Sequence, residues 1–375
     1  MKYSAPSTAR ALVLSTILFV LVSGLVHAQT TWVGGTDLNW STAANWNPAT
    51  APITGQTALL NDTVSANRTI VYDTGASGAL GTLTMTQTSG FLNSLDVQKN
   101  LTIANAVTLS ASGNGTVQFT VDPVLTARTV TFTGGLTVGS GGNLNLLFNS
   151  TSNGTVHSMP TVKGDVTLSG GAITLGPVAA GAAGAASATF FNNLTISSGT
   201  ITLDNGTGVN TKDLRIGVSG NFTAANGTLT TTSAVQGGNL VLSGAANLFS
   251  NFTFAPNYGV MLMASGNQTL TGLPALTTGV LTVRGSGIKT VLGTTLGAIQ
   301  FVNSNAGGTL VALKLGSNLT LTTNATLASM ANGLAATASQ LGIDANGHTL
   351  DMSAGAGTVW KPNLVTSSSV TQIRA

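Results

Sequence analysis

One short unit recurs along the chain and limits what it can fold into. An Asn or Asp (or Gly) is followed by an apolar-Thr-apolar triplet, a turn, and a second short apolar-alternating stretch. It reads KNLTIANAVTLS at 99–110, KGDVTLSGGAITLG at 163–176, NNLTISSGTITLDNG at 192–206 and GSNLTLTTNATLAS at 316–329. Looser copies begin at Gly134, Lys212, Gly237 and Gly279. Self-similarity at intervals of roughly 20 to 40 residues marks a solenoid or array, because one such unit cannot bury its apolar face alone.

The unit is built from strands. Val117, Phe119 and Val121 alternate with Gln118 and Thr120, and Leu83 and Met85 alternate with Thr82, Thr84 and Thr86. Leu194 and Ile196, then Ile201 and Leu203, continue the pattern across Ser197-Ser198-Gly199. Period-two alternation bounded by Gly, Asn and Ser is a strand signal. Asn114-Gly115, Gly141-Gly142, Asn205-Gly206, Asn226-Gly227 and Gly237-Gly238 read as turns, since these residues tolerate the backbone that tight turns need. Amphipathic helical spacing is absent, and the Ala/Gly-rich stretch Val178 to Ala188 reads as a loop.

The expected fold is therefore all-β, a right-handed parallel β-helix (β-solenoid), with coils of roughly 20–25 residues stacked about 4.8 Å apart. Only 6% of residues are charged, against about a quarter in ordinary soluble domains. Stacked coils explain that figure, because identical outward charges would lie one above another. Tandem β-sandwiches are the alternative; they would call for clearer hairpins, a more aromatic core and a linker.

Composition also removes function classes. There is no Cys, hence no disulfide, thiolate metal site or Cys nucleophile. There is no Glu, and the ten Asp are scattered, with no two adjacent or at i, i+2. Glycoside hydrolysis usually needs two close carboxylates, so catalysis is not expected, although stacking could gather Asp165, Asp204 and Asp213. His157 and His348 have no second His at metal spacing, and no metal or other cofactor is expected. The formal charge of +3 comes without a Lys/Arg cluster, so nucleic acid is not an expected partner.

Residues 1–28 read as a Sec-type signal peptide. Lys2 and Arg10 precede the apolar run Ala11 to Val26, and Val26-His27-Ala28 presents a cleavage site after Ala28. The run is short for a span of about 20 residues, and no later apolar run approaches that length. The mature chain is therefore expected to be secreted or held at the cell surface, without a transmembrane helix.

The stretch after the leader carries a resemblance. Trp32, Gly34-Gly35, Asn39-Trp40-Ser41, Ala44-Asn45-Trp46, Pro52 and Gly55 form a pattern similar to the opening of bacterial extracellular proteins with autotransporter-associated β-strand repeats. Later units such as FFNNLTISSGTITL resemble repeats of large bacterial surface proteins of that kind, and the likeness spans most of residues 30 to 350. It implies a parallel β-helix that is exported, often adhesive or structural, and usually without catalysis. The C-terminal β-barrel of a strict autotransporter has no counterpart after Gly347, so the chain reads either as a piece of a longer surface protein or as freely secreted. The expected organisation is a leader over 1–28, a Trp-rich cap over 29–62 and solenoid repeats over 63–375.

Two readings compete for the tryptophans. Trp32, Trp40 and Trp46 fall within fifteen positions. Exposed, they would stack on sugar rings and make the chain a carbohydrate-binding module, with extracellular polysaccharide as partner. Buried, they would close the open end of the solenoid. Thr-x-Thr-x-Thr runs at 82–86, 129–133 and 228–232 lie too far apart in sequence to suggest an ice-binding array. The leading expectation is an exported, non-enzymatic β-solenoid acting as the stalk or adhesive segment of a surface protein. A solenoid polysaccharide lyase or hydrolase is the third reading.

Overall fold

The computed structural model describes residues 28–61, 66–121, 128–150, 156–157, 161–177, 187–203, 214–231, 239–254, 259–301, 311–322, 328–329, 341–351 and 371–374. The expected leader lies outside them except for Ala28, as do Trp360, Asp204 and Asp213.

The protein is a parallel β-solenoid. Its longest ladder starts at Gln29–Trp32 and steps through Thr57–Leu60, Thr82–Gln87, Val107–Ala111, Leu136–Gly139, Val166–Pro177, Leu194–Leu203 and Phe222–Thr231. It continues through Ala246–Phe254, Gln268–Leu273, Gly287–Gly293, Val311–Leu315 and Leu341–Asp344 to Thr371–Arg374. Every step is parallel. Away from register shifts, successive rungs lie between 21 residues apart (Thr269 to Thr290) and 30 (Leu136 to Val166), so coils are longer and less even than the expected 20–25 residues. Among the described residues only two pairings are antiparallel, Gln29–Trp32 with Trp46–Asn47 and Gly142–Ser150 with Val156–His157. Tandem sandwiches, which are built from antiparallel sheets, are excluded.

Three strand positions make one coil. After the first comes a second ladder through Arg68–Tyr72, Leu92–Val97, Thr116–Val121 and Gly142–Ser150. Over Val166–Pro177, Leu194–Leu203, Phe222–Thr231 and Ala246–Phe254 this second ladder is the later half of the same long strands. A third ladder runs through Ala79–Leu80, Leu101–Ile103, Val130–Phe132 and Thr161–Val162, and then, as a separate sheet, from Ser187–Phe191 to Leu350–Asp351.

The long strands correct the turn reading. Ser197-Ser198-Gly199 and Asn226-Gly227, read as turns, lie inside continuous strands. The chain changes direction while both flanks stay paired with the coils above and below. Gly227 shows why a glycine sits there. Its φ is +135°, and an added Cβ would come within 2.9 Å of Ile196 Cγ2. Of the expected loop over 178–188, residues 178–186 lie outside the described residues, and 187–188 belong to strand Ser187–Phe191.

Alternation does the packing. Ala58, Leu83, Val107, Leu136, Val166, Leu194 and Phe222 stack in register on the inside, each almost wholly buried. Leu60, Met85, Leu109, Val138, Leu168, Ile196, Ala224 and Phe249 form the next inner column. One continuous apolar core runs from Trp32 to Ile343. No helix among the described residues is long and apolar enough to cross a membrane.

Candidate functional site

The N-terminal end is built differently from the coils behind it. Strand Gln29–Trp32 has its outer edge covered by Trp46–Asn47, with Trp32 opposite Trp46. The edge of Arg68–Tyr72 is covered by the segment at 38–40: Trp40 N–H donates to Val71 O at 2.8 Å, and Val71 N–H to Leu38 O at 2.9 Å. Residues 33–47 thus satisfy two strand edges that would otherwise offer open hydrogen-bonding groups to another chain.

Aromatic packing fixes this cover. Trp32 and Trp46 meet edge to face at 5.1 Å, Trp40 and Trp46 at 4.6 Å, and Trp40 lies 4.8 Å from Tyr72. Trp46 Nε1 donates to Trp40 O at 2.7 Å. Trp32, Trp40 and Trp46 are 0, 0 and 2% exposed. The sugar-stacking expectation required open ring faces, and here each face is spent on a neighbouring ring or the core.

A polar scaffold holds the loop between the rings. Asp37 accepts from Asn39 N–H (2.9 Å), Thr42 Oγ1 (3.0 Å) and Asn45 Nδ2 (2.8 Å). The Asn39 backbone N–H, helped by those side chains, holds its carboxyl below the usual value despite some desolvation. Asn45 is fully buried; its amide also donates to Asn39 O and accepts from Thr36 N–H. Asp73 accepts from Ser41 N–H (2.9 Å), Ser41 Oγ (2.6 Å) and Gly75 N–H (3.1 Å). Burial pushes Asp73 up, but the Ser41 and Gly75 hydrogen bonds outweigh it and hold the carboxyl low. Tyr72 is pushed up by burial and by the Asp73 charge, and its hydroxyl donates to Ser77 O.

Along the coils, the Asn or Asp that opens each unit does a recurring job. Asp165 Oδ1 accepts from Asn193 N–H (3.2 Å), Asn193 Nδ2 (2.9 Å) and Asn192 Nδ2 (2.7 Å). Asn193 Oδ1 accepts from Asn221 N–H at 2.7 Å, and Asn221 Oδ1 from Ala246 N–H at 3.3 Å. Each side chain caps a backbone donor one coil further on. Asn100, Asn267 and Asn318 do the same for Thr129, Ile288 and Thr349. The repeat's opening residue is thus explained by corner hydrogen bonding.

The outer face of the longest ladder carries a feature the sequence runs did not reveal. Thr84, Thr108, Thr137, Thr167, Thr195 and Thr223 stand in register on six successive coils. At about 4.8 Å per coil the column is about 24 Å tall. Among the described residues none of these six hydroxyls has a hydrogen-bond partner. On the second ladder, by contrast, outward groups bond one another: Asn145 Nδ2 and Gln118 Nε2 donate to Thr120 Oγ1, and Thr228 and Thr253 hydroxyls meet at 2.9 Å. Only alignment across coils exposes the threonine column, because most of its members lie outside the Thr-x-Thr-x-Thr runs.

Of the other candidates, His348 is half-exposed beside the Asn346-Gly347 turn, its backbone N–H donating to Ala345 O. His157 lies in the short strand Val156–His157. No group of three His or Asp that could hold a metal occurs among the described residues. Comparison with known proteins returns no matching family model, no matching curated protein and no matching solved structure.

Proposed function

We propose that the chain is an exported, non-enzymatic β-solenoid that serves as the stalk or adhesive segment of an extracellular or cell-surface protein, of the autotransporter-associated repeat kind. The observation that carries this reading is the long parallel ladder, covered at its N-terminal end and faced from Thr84 to Thr223 with uncharged side chains. Such a rod sets distance and resists unfolding, because each coil is held by both neighbours. The leader supports export. Asp37 and Asp73 support the absence of chemistry, since each spends both oxygens on backbone and side-chain donors.

The adhesive part of the reading rests on the threonine column. Its free hydroxyls and methyls form an uncharged, regularly spaced strip suited to a neutral glycan chain, whereas the buried tryptophans offer no such surface. Incubating the exported chain with soluble and insoluble polysaccharides, and following depletion together with new reducing or unsaturated ends, tests both parts. Depletion without products, weakened by Thr167→Arg and Thr195→Arg, supports an adhesive segment. No depletion leaves a stalk, and products overturn the non-enzymatic reading.

A further inference from the structure

The coil corner at residues 264–268 holds an uncompensated cation. Lys289 is 0% exposed. Its place follows from alternation: it is in phase with Val291, which faces the core, in strand Gly287–Gly293. Lys289 Nζ donates to Ala264 O and to Gly266 O, each at 2.7 Å. One coil earlier, Gln268 occupies the paired position and its amide donates to Leu242 O and Gly244 O, each at 2.9 Å. Both side chains therefore tie together carbonyls two residues apart in the preceding corner. Gln268 does so as a neutral group and Lys289 as an ammonium.

Among the described residues no anion faces Lys289. The turn 263–267 and strand Gln268–Leu273 carry no ionisable residue. The neighbouring elements contribute Arg284, on the turn before its own strand, and Lys314, whose backbone pairs with Thr290. Both are cations. Lys99 makes a similar pair of bonds, to Thr74 O and Ala76 O, but from a half-exposed position where water still reaches the charge.

We propose that the Lys289 corner is a proton-controlled latch: its ammonium is held inside the coil without a counter-charge, and release of the proton tightens the coils around it. The neutral amine keeps two N–H donors and so retains both carbonyl bonds, while the cost of burying a charge disappears. Burial brings the amine down from 10.5 to about 8. Between these values the unfolded chain binds the proton and the folded chain does not, so stability rises with pH across that window.

The test is unfolding of the exported chain by urea from pH 7 to pH 10, beside Lys289→Gln, which copies the Gln268 corner. Wild type should gain on the order of a hundredfold in its folded-to-unfolded ratio relative to Lys289→Gln over that range. Lys289→Gln should be the more stable of the two at pH 7. In parallel, a ¹³Cε titration of wild type, with Lys289 assigned by its loss in the variant or by sequential assignment, should place its midpoint near 8. Parallel pH profiles for the two proteins, or a Lys289 midpoint near 10.5, would overturn the proposal; the titration decides alone where the variant does not fold.

Discussion

Two aromatic clusters among the described residues are built on opposite principles. At the N-terminal end, Trp32, Trp40, Trp46 and Tyr72 belong to a segment that leaves the repeat, crosses two strand edges and is held by Asp37, Asn45 and Asp73. In mid-stack, Phe222, Phe249, Phe252 and Phe254 stay on the strands, with centroids 4.7 to 6.0 Å apart. They are accommodated by exchange of volume between coils. Phe249 stacks on Ala224, which stacks on Ile196, and Phe252 lies opposite Gly227. An end needs polar atoms to finish its backbone, whereas the middle of a stack needs only volumes that add up along a column.

The largest expected effect separates the two. Trp46→Ala removes a buried ring and the Trp46 Nε1 bond that ties it to Trp40, and should cost about 3–5 kcal/mol. Because it also uncovers the edge of Gln29–Trp32, it should promote self-association, seen by light scattering. Phe249→Leu should lower the unfolding free energy from urea titration by about 1 kcal/mol and leave the protein monodisperse. If Phe249→Leu associates as readily as Trp46→Ala, the distinction between end and middle fails.

Next comes exchange within the column. Ala224→Phe alone should destabilise by about 1–3 kcal/mol through overpacking. Combined with Phe249→Ala, it should recover much of the sum of the two single losses, read as a coupling energy in a double-mutant cycle. Strict additivity would show that the Phe cluster is not a shared-volume column.

Acid should then act on the end first. Asp37 and Asp73 have folded values below 3.8. The stability they contribute is fully present above 3.8 and is lost as pH falls through the lower folded values. Trp emission should shift red in that acid range while amide protection across Phe222–Phe254 persists. Simultaneous loss would merge the two regions into one cooperative unit. The smallest effect is Thr167→Val on the outer column, within about 0.5 kcal/mol, checked by thermal melting.

Alternation and the opening Asn or Asp were enough to read parallel coils and their corners from the sequence, because both act locally and repeat. Asn226-Gly227 read as a turn but lies inside a paired strand, because a positive-φ glycine within a strand and a turn ask for the same residues. The threonine column was hidden because its register depends on coil lengths that vary between 21 and 30 residues. Trp32, Trp40 and Trp46 stood out at once, but composition cannot say which side of a strand edge a ring covers. Lys289 was legible in principle from its phase with Val291. It escaped notice because an inward lysine contradicts the usual cost of burying charge.

The most direct test of the solenoid uses the absence of native cysteine. Spin labels placed at Thr84→Cys and, in turn, at Thr195→Cys, Thr223→Cys or Thr271→Cys sit four, five and seven coils apart on one outer column. Stacked coils predict single, narrow distances of about 19, 24 and 34 Å, before allowance for the labels' own length, growing in step with coil number. Distances that do not grow with coil number, or broad distributions for all three pairs, would contradict the parallel stack on which the rest depends.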